Sequence, residues 1–219
     1  MSDSRIDPVT PYDRLAWTDE QIETLLLAGE RRRELIAVFG ASLYLELAGL
    51  ARAAHSAHAA AGRRVWLVPG IMGSRLGKLR TAGEPPDTLW LDPLDIVSGR
   101  IGELKLADNS QIRSLGILHF SYLKLKLELA AAGFAVRSFD YDWRRGVIEL
   151  GALFAAAMRA DARDCMIVAH SMGGLVARCA MTQPALPAVS RLVMLGTPNG
   201  GSWATVQALR GTYLVVQRL

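Results

Sequence analysis

The last 48 residues of the sequence lack the histidine and carboxylate side chains that most often move or orient a proton in catalysis. From Met172 to Leu219 there is no His, no Asp and no Glu. All four histidines precede this stretch: His55, His58, His119 and His170. A histidine base oriented by a carboxylate, as in many serine enzymes, therefore cannot come from this part of the chain.

Cysteine is scarce and long apolar runs are missing. The two cysteines, Cys165 and Cys179, are too few for a disulfide framework or a zinc site, and we expect both to be buried thiols in a reducing compartment. Residues 1–8 have neither the basic start nor the apolar centre of a signal peptide, and no run of about 18 apolar residues follows. The sequence thus predicts a cytoplasmic protein with no export signal and no membrane span.

Charge is nearly balanced, which excludes a strongly basic protein. The formal net charge is +4 and comes mainly from arginines that are not clustered with aromatic side chains, so we expect no nucleic-acid partner. Peripheral contact with an anionic membrane surface stays open. We expect no metal or other cofactor: His55 and His58 share a helix face, but no cysteine or carboxylate lies within a turn of them.

The pattern of apolar residues divides the chain near residue 62. Residues 1–62 predict a helical pair packed as a hairpin, with Thr18 and Gln21 as a capping box and Gly40 before the second apolar run. From residue 63 onward, short apolar runs alternate with helical patterns, which predicts an α/β fold with a mainly parallel sheet flanked by helices. The predicted strands are 64–68, 134–139, 165–169 and 190–195, and the predicted helices are 120–132, 147–160, 172–182 and 202–209.

A segment of about residues 72–118 is too long for an ordinary connection between a strand and a helix. It contains Trp90 and three prolines, Pro85, Pro86 and Pro93, among scattered Leu and Ile residues. A lid or substrate wall over an active site is one interpretation of such an insertion, and a plain surface excursion is the other.

The sequence from Cys165 to Arg178 has the pattern of a nucleophile elbow. It reads as a short apolar strand, a sharp turn centred on Ser171 and an amphipathic helix. Such a turn needs small residues two positions before and after the serine, and Ala169 and Gly173 occupy these positions. The pattern predicts a strained backbone at Ser171 that exposes its hydroxyl as a nucleophile.

A serine hydroxyl becomes a good nucleophile only when a base takes its proton. In the fold that carries this elbow, the chain order is Ser, then Asp or Glu, then His. This chain carries only the first of the three. His170 is next to the nucleophile, but neighbouring side chains diverge at a tight turn, so we expect its imidazole to point away from the Ser171 hydroxyl.

The loop after the first predicted strand, Pro69 to Ser74, is a candidate oxyanion loop. Acyl transfer needs two backbone N–H donors, one from the residue after the nucleophile and one from a loop after an earlier strand. Met172 is predicted as the first donor. Gly70 lets the loop turn back toward the elbow, which leaves the N–H of Ile71 or Met72 as the second donor, and we choose Met72.

Two further strings accompany the elbow and the oxyanion loop. Asp140-Tyr141-Asp142-Trp143-Arg144 follows the second predicted sheet strand, and Gly196-Thr197-Pro198-Asn199-Gly200-Gly201-Ser202 follows the strand after the elbow. From the residues alone, we expect an Asp142–Arg144 pair that stiffens its loop, Trp143 in the core, and the glycines in a tight turn. Together with Val68 to Ser74 and the His-Ser-Met-Gly-Gly elbow, these strings resemble the lecithin:cholesterol acyltransferase family, which includes phospholipid:diacylglycerol acyltransferases.

The resemblance runs from about residue 63 to residue 202, roughly the first half of that family's catalytic domain. It implies a partial α/β-hydrolase fold in residues 63–219, preceded by the helical segment 1–62, with a lid-like insertion at about 72–118. It also implies Ser171 as the nucleophile, the backbone of Met72 and Met172 as oxyanion donors, and a phospholipid or acylglycerol ester as the substrate. In that family the acid and the histidine follow two later strands.

The sequence therefore predicts a serine-dependent lipase or acyltransferase that works through an acyl-serine intermediate and is incomplete or inactive alone. Two alternatives stay open: a non-catalytic lipid- or protein-binding module on a degenerate hydrolase fold, and a site that a second chain completes by supplying the missing Asp and His. The strand at 190–195 is predicted to be an uncovered edge, and we expect self-association through it. The equally apolar segment from Tyr213 to Val216 is predicted to lack a packing partner.

Overall fold

The computed structural model describes residue 13 and residues 16–57, 62–106 and 111–213. Its strands, in chain order, are β1 (Arg64–Val68), β2 (Ser74–Lys78), β3 (Asp87–Trp90), β4 (Arg113–Ile117), β5 (Ala135–Ser138), β6 (Cys165–His170) and β7 (Val189–Leu195). Its helices are α1 (Asp19–Ala28), α2 (Arg32–Phe39), α3 (Ala41–Ala57), α4 (Pro93–Val97), α5 (His119–Ala131), α6 (Val147–Asp161), α7 (Met172–Ala180) and α8 (Trp203–Leu209), with a 3₁₀ helix at Arg100–Leu104.

Before the first strand the described residues form three helices instead of the predicted pair. The capping box of Thr18 and Gln21 begins α1 as expected. Gly29 ends α1 in the left-handed conformation, and Gly40, with φ of 77°, separates α2 from α3. The second predicted run, after Gly40, is α3, and α2 is an additional helix; the chain bends by 117° between α2 and α3. His58 lies outside the described residues.

The main sheet has four parallel strands in the order β5-β1-β6-β7, which confirms the predicted fold class. Successive side chains of a strand point to opposite faces, and β1 shows this clearly. Trp66 packs in the core beneath α6 and α7, whereas Leu67 packs on the other face against Tyr122 of α5. The N-terminal helices lie outside α5, where Leu123 and Leu127 join their apolar core.

The described residues of the segment 72–118 have a regular structure. They form a second, antiparallel sheet in the order β3-β2-β4, together with α4 and the 3₁₀ helix. Leu76, Leu89 and Trp90 are its buried core. Arg100 binds the carboxylates of Asp87, Asp95 and Glu103 and so ties the segment together. The structure thus gives the insertion a fixed fold, and its role as a lid stays a prediction.

Strand β7 lies at the edge of the main sheet. Among the described residues it pairs only with β6, and the side chains of Val193, Met194 and Leu195 are 38%, 39% and 41% exposed. The predicted edge at 190–195 is therefore present. Of the predicted segment from Tyr213 to Val216, all but the first residue lies outside the described residues.

Within the described ranges, no single helix is both long enough and apolar enough to span a membrane, and α2 and α3 meet those criteria only as a bent pair.

The two cysteines differ in burial. Cys165 is buried in the core, as predicted. Cys179 is only half-buried, so the prediction that it is a buried core thiol was wrong. Cys179 lies on the outer part of α7, where its side chain faces Gly151 of α6.

Candidate active site

Ser171 stands at a sharp turn between β6 and α7, as the elbow pattern predicts. Its backbone has φ of 50° and ψ of −125°, a conformation that residues with a Cβ rarely adopt. The turn is held from the β7 side, because the Ser171 N–H donates to the carbonyl oxygen of Leu195 at 2.8 Å. Strain of this kind persists only where the surrounding structure fixes it, and it is typical of functional sites.

Small residues around Ser171 are required by close packing. A Cβ at Gly173 would lie 2.3 Å from the carbonyl oxygen of Pro69, and one at Gly174 would lie 2.0 Å from Thr197 Oγ1. Ala169 is fully buried beneath the turn, where its single methyl group is accommodated. Alanine at the first small position is thus compatible with the elbow, as the sequence suggested.

The loop from Pro69 to Gly73 packs directly against the elbow. A Cβ at Gly70 would lie 2.9 Å from the Cβ of Ser171 and 3.0 Å from His170 Nδ1. Only glycine allows the backbone to approach a side chain this closely. The candidate oxyanion loop and the candidate nucleophile are therefore neighbours.

Three aromatic side chains hold the loop by its backbone. Tyr141 Oη donates to the carbonyl oxygen of Pro69 at 2.6 Å, Tyr122 Oη accepts from the N–H of Gly70 at 2.9 Å, and Trp90 Nε1 donates to the carbonyl oxygen of Met72 at 3.0 Å. The N–H of Gly73 donates to the carbonyl oxygen of Gly70 at 3.0 Å. The loop is thus fixed at each end and in its middle.

The N–H groups of Met72 and Met172, which the sequence predicts as oxyanion donors, are both free of hydrogen bonds to other described residues. Met72 has φ of 60°, so the loop bends sharply at this residue. Met172 is the first residue of α7, where a helix carries free N–H groups and the positive end of its dipole. The N–H of Ile71, the other donor considered, is also unpaired among these residues.

His170 does not bond to Ser171 in the structure. Its Nδ1 lies 2.8 Å from Tyr122 Oη, and no hydrogen bond to Ser171 Oγ is formed within the described part of the chain. The imidazole is therefore directed across the oxyanion loop. Tyr122 was missed by the sequence analysis, since its helix position carries no motif and its contacts depend on how α5 packs.

The loop after β5 is stiffened as predicted and also reaches the insertion. Arg144 binds both carboxylate oxygens of Asp142, at 2.8 and 2.6 Å, and donates to the carbonyl oxygen of Leu104 at 3.1 Å. Trp143 Nε1 donates to the carbonyl oxygen of Ser74 at 2.9 Å. This loop therefore fixes the insertion beside the oxyanion loop.

His119 is buried at the start of α5, away from the elbow. Burial, followed by the nearby charge of Arg75, lowers its pKa from 6.5 to about 3. Arg75 donates to the carbonyl oxygens of Trp17 and Leu115, and burial lowers its pKa to about 10. His119 is therefore a neutral residue of the interior. The described residues include no cluster of three or more His, Cys, Asp and Glu side chains that could hold a metal ion.

The parallel sheet, the strained serine turn and the glycine loop against it define an α/β-hydrolase-like domain. A comparison with protein families identifies one family within this class: the family model described as the PGAP1-like alpha/beta domain matches residues 59–217. The chain belongs to this family, an α/β-hydrolase-like family whose fold indicates a lipase- or esterase-like function. No curated protein matches the chain. The family that matches differs from the lecithin:cholesterol acyltransferase family, which the motifs resemble.

Proposed function

We propose that this chain carries the nucleophile and the oxyanion donors of a serine-dependent lipase or acyltransferase site. Ser171 is the nucleophile, and the backbone N–H groups of Met72 and Met172 stabilise the oxyanion. The observation that carries the proposal is the strained turn at Ser171 with the glycine of the oxyanion loop packed against it. A fold alone is shared by many activities, so the argument rests on this local geometry.

The proposed chemistry proceeds through an acyl-serine. Ser171 Oγ bonds to the carbonyl carbon of the ester while its proton passes to a base, and the carbonyl oxygen becomes an oxyanion near the two N–H groups. The bond to the alcohol then breaks, and that alcohol leaves with the proton. Water or an acceptor alcohol next attacks the acyl carbon and gives its proton to the base. The bond between that carbon and Ser171 Oγ then breaks, Oγ takes the proton from the base, and an acid or a new ester is released. The motif resemblance supports a lipid acyl ester as the substrate.

The base is the part that this chain does not offer. No His, Asp or Glu follows Ser171, and the Nδ1 of His170 is occupied by Tyr122. We propose that polypeptide beyond residues 1–219, such as a second chain, supplies the Asp and the His. The unpaired edge of β7 supports this, because a strand added to that edge would extend the sheet that carries Ser171 and would lie two strands away from β6.

Labelling with a fluorophosphonate tests the nucleophile. Because the base is missing, we expect the probe to modify Ser171 slowly, at the rate that the oxyanion donors alone sustain, but still faster than an ordinary exposed serine. Peptide mass spectrometry identifies the modified residue, and Ser171→Ala should abolish the modification. Ser202→Ala is the matched control, since Ser202 is an exposed serine before α8, and it should leave labelling unchanged. Labelling of Ser171 no faster than of Ser202 would contradict the proposal.

A turnover assay tests the missing base. Loss of a triad partner costs on the order of 10⁴ to 10⁶ in rate, so the chain alone should hydrolyse p-nitrophenyl butyrate barely above the Ser171→Ala background. Turnover at the level of ordinary esterases, abolished by Ser171→Ala, would show instead that this chain contains a base.

A non-catalytic binding module is the second candidate, favoured by the absence of acid and base after Ser171. It predicts binding to phospholipid vesicles that Ser171→Ala leaves unchanged, together with no fluorophosphonate labelling. Labelling that depends on Ser171 would exclude it.

A further inference from the structure

Tyr122 connects the oxyanion loop with the residue before the nucleophile. Its side chain is buried on α5, and its hydroxyl oxygen lies 2.9 Å from the N–H of Gly70 and 2.8 Å from His170 Nδ1. The hydroxyl also packs against the far end of the loop, at Gly73. A Cβ at Gly73 would lie 2.8 Å from Tyr122 Oη, so only glycine fits there. One hydroxyl group therefore contacts both glycines of the loop and the elbow.

The direction of the bond to His170 follows from the roles of the other groups. The N–H of Gly70 can only donate, so the Tyr122 oxygen accepts from it. The hydroxyl proton then needs an acceptor, and among the described residues His170 Nδ1 is the one within reach. Burial raises the pKa of Tyr122, so the hydroxyl keeps this proton. A neutral imidazole that accepts at Nδ1 carries its own proton at Nε2.

We propose that Tyr122 is a positioning residue of the acyl-transfer site, which holds the oxyanion loop through Gly70 and holds His170 as the tautomer protonated at Nε2. This inference rests on the proposed function of Ser171. Because Tyr122 occupies the N–H of Gly70, the donors left for an oxyanion are those of Ile71 and Met72. Because the lone pair at Nδ1 is occupied, His170 acts as a hydrogen-bond donor at the rim of the site and not as the base for Ser171.

Nitrogen NMR of the histidine side chains tests the contact without any catalytic turnover. At pH 8.5, His170 in the wild-type protein should carry its proton on Nε2, with Nδ1 unprotonated and bonded to the Tyr122 hydroxyl. In Tyr122→Phe the Nδ1 resonance should shift and exchange of the Gly70 amide proton should become faster. A wild-type His170 with its proton on Nδ1 would overturn the proposal, whether or not the variant folds.

Tyr141→Phe is the matched control for this measurement. It also removes a hydroxyl that binds the loop, at the carbonyl oxygen of Pro69, but it contacts neither His170 nor the Gly70 N–H. We expect it to leave the His170 Nδ1 resonance in place. An equal shift in both variants would mean that the signal reports general loosening of the loop, and the assigned role of Tyr122 would be wrong.

The rate of fluorophosphonate labelling at Ser171 tests the effect on the site. We expect Tyr122→Phe to slow labelling about 10- to 100-fold, since small displacements of a reacting geometry have effects of this size. Tyr44→Phe, in the buried core of the N-terminal helices, should label at the wild-type rate. Labelling of Tyr122→Phe at the wild-type rate would overturn the positioning role. A wild-type protein that is not labelled would contradict the proposed function instead, while the NMR result would still report on the contact.

Discussion

The two sides of Ser171 are built very differently. On the loop side, side chains from β3, α5 and the segment after β5 hold the backbone from Pro69 to Gly73 in place. On the other side, β7 binds the Ser171 N–H through Leu195, but its apolar side chains remain about 40% exposed. The loop that we propose as the oxyanion loop is therefore held by several side chains, whereas the β7 side of Ser171 is exposed.

Strands β6 and β7 show that composition does not create this difference. Both are short and mostly apolar, as buried parallel strands are. Three of the six residues of β6 are buried, whereas no residue of β7 is. Burial depends on what lies beyond each strand, and β1 covers β6 while β7 has no described neighbour on its outer side.

Helix α5 gives the strongest test of the loop side of Ser171, because it carries Tyr122 and, one turn later, Lys126. Lys126 Nζ lies 2.6 Å from both Asp19 and Glu23, and its side chain is 5% exposed. Lys126→Met would leave these carboxylates without their cation. We expect a loss of about 3–5 kcal/mol in the free energy of unfolding, measured by urea denaturation.

The matched control is Lys124→Met, on the same helix. Lys124 pairs with Glu46, and both side chains are nearly half exposed, so its loss should change the free energy of unfolding by about 1 kcal/mol or less. Equal effects of the two substitutions would mean that the buried pair does not anchor α5.

The contact between the elbow and the oxyanion loop gives the second test. In Gly173→Ala the new Cβ would lie 2.3 Å from the carbonyl oxygen of Pro69 and 2.6 Å from that of Val68, and neither backbone can move easily. We expect a loss of about 3 kcal/mol, measured as a lower urea midpoint, because overpacking has effects of this size. Gly200→Ala, where a Cβ would meet nothing within 4 Å, should differ from wild type by less than about 0.5 kcal/mol. A near-neutral Gly173→Ala would mean that strand and helix do not approach as the structure shows.

Much of the main sheet and its helices could be predicted from the sequence. The strand 64–68 agrees with β1 to the residue, and the helix predicted at 147–160 differs from α6 by one residue. The turn at Ser171 was predictable too, because short-range spacing of small residues determines it. These features depend on neighbours in the sequence, which periodicity and motifs reveal.

The features that could not be predicted from the sequence depend mostly on contacts between residues that are distant in the chain. Helix α2, between Gly29 and Gly40, was not predicted as a separate helix. The sheet within residues 72–118 pairs β2 with β4, which the chain separates by a long excursion. Tyr122 meets Gly70 and His170 across 52 and 48 positions, and no local pattern marks it.

The fall in stability at low pH gives a third, smaller test of the loop side of Ser171, because His119 is buried on the same helix as Tyr122. Its pKa in the folded protein is about 3, because burial and then Arg75 and Lys126 disfavour the proton more than Asp19 favours it. An unfolded histidine binds a proton below about pH 6.5, so stability must fall as the pH drops from there toward 3. His119→Leu should remove a decline of up to about 1.4 kcal/mol per pH unit, measured by urea denaturation between pH 6.5 and 4.5. Parallel pH profiles of variant and wild type would show that His119 is not buried in its neutral form.

The exposed edge gives the smallest change in stability and the clearest change in behaviour. Val193→Lys adds a charge to an exposed position of β7, so we expect less than about 0.5 kcal/mol change in the free energy of unfolding. Light scattering at micromolar concentration should nevertheless fall, because a lysine on an edge strand opposes pairing with another strand. Val97→Lys is the matched control, since Val97 is 88% exposed on α4 and should leave the scattering unchanged. If the wild-type chain is already a dispersed monomer, or if both lysines act alike, the open side of Ser171 is not the surface through which this protein associates.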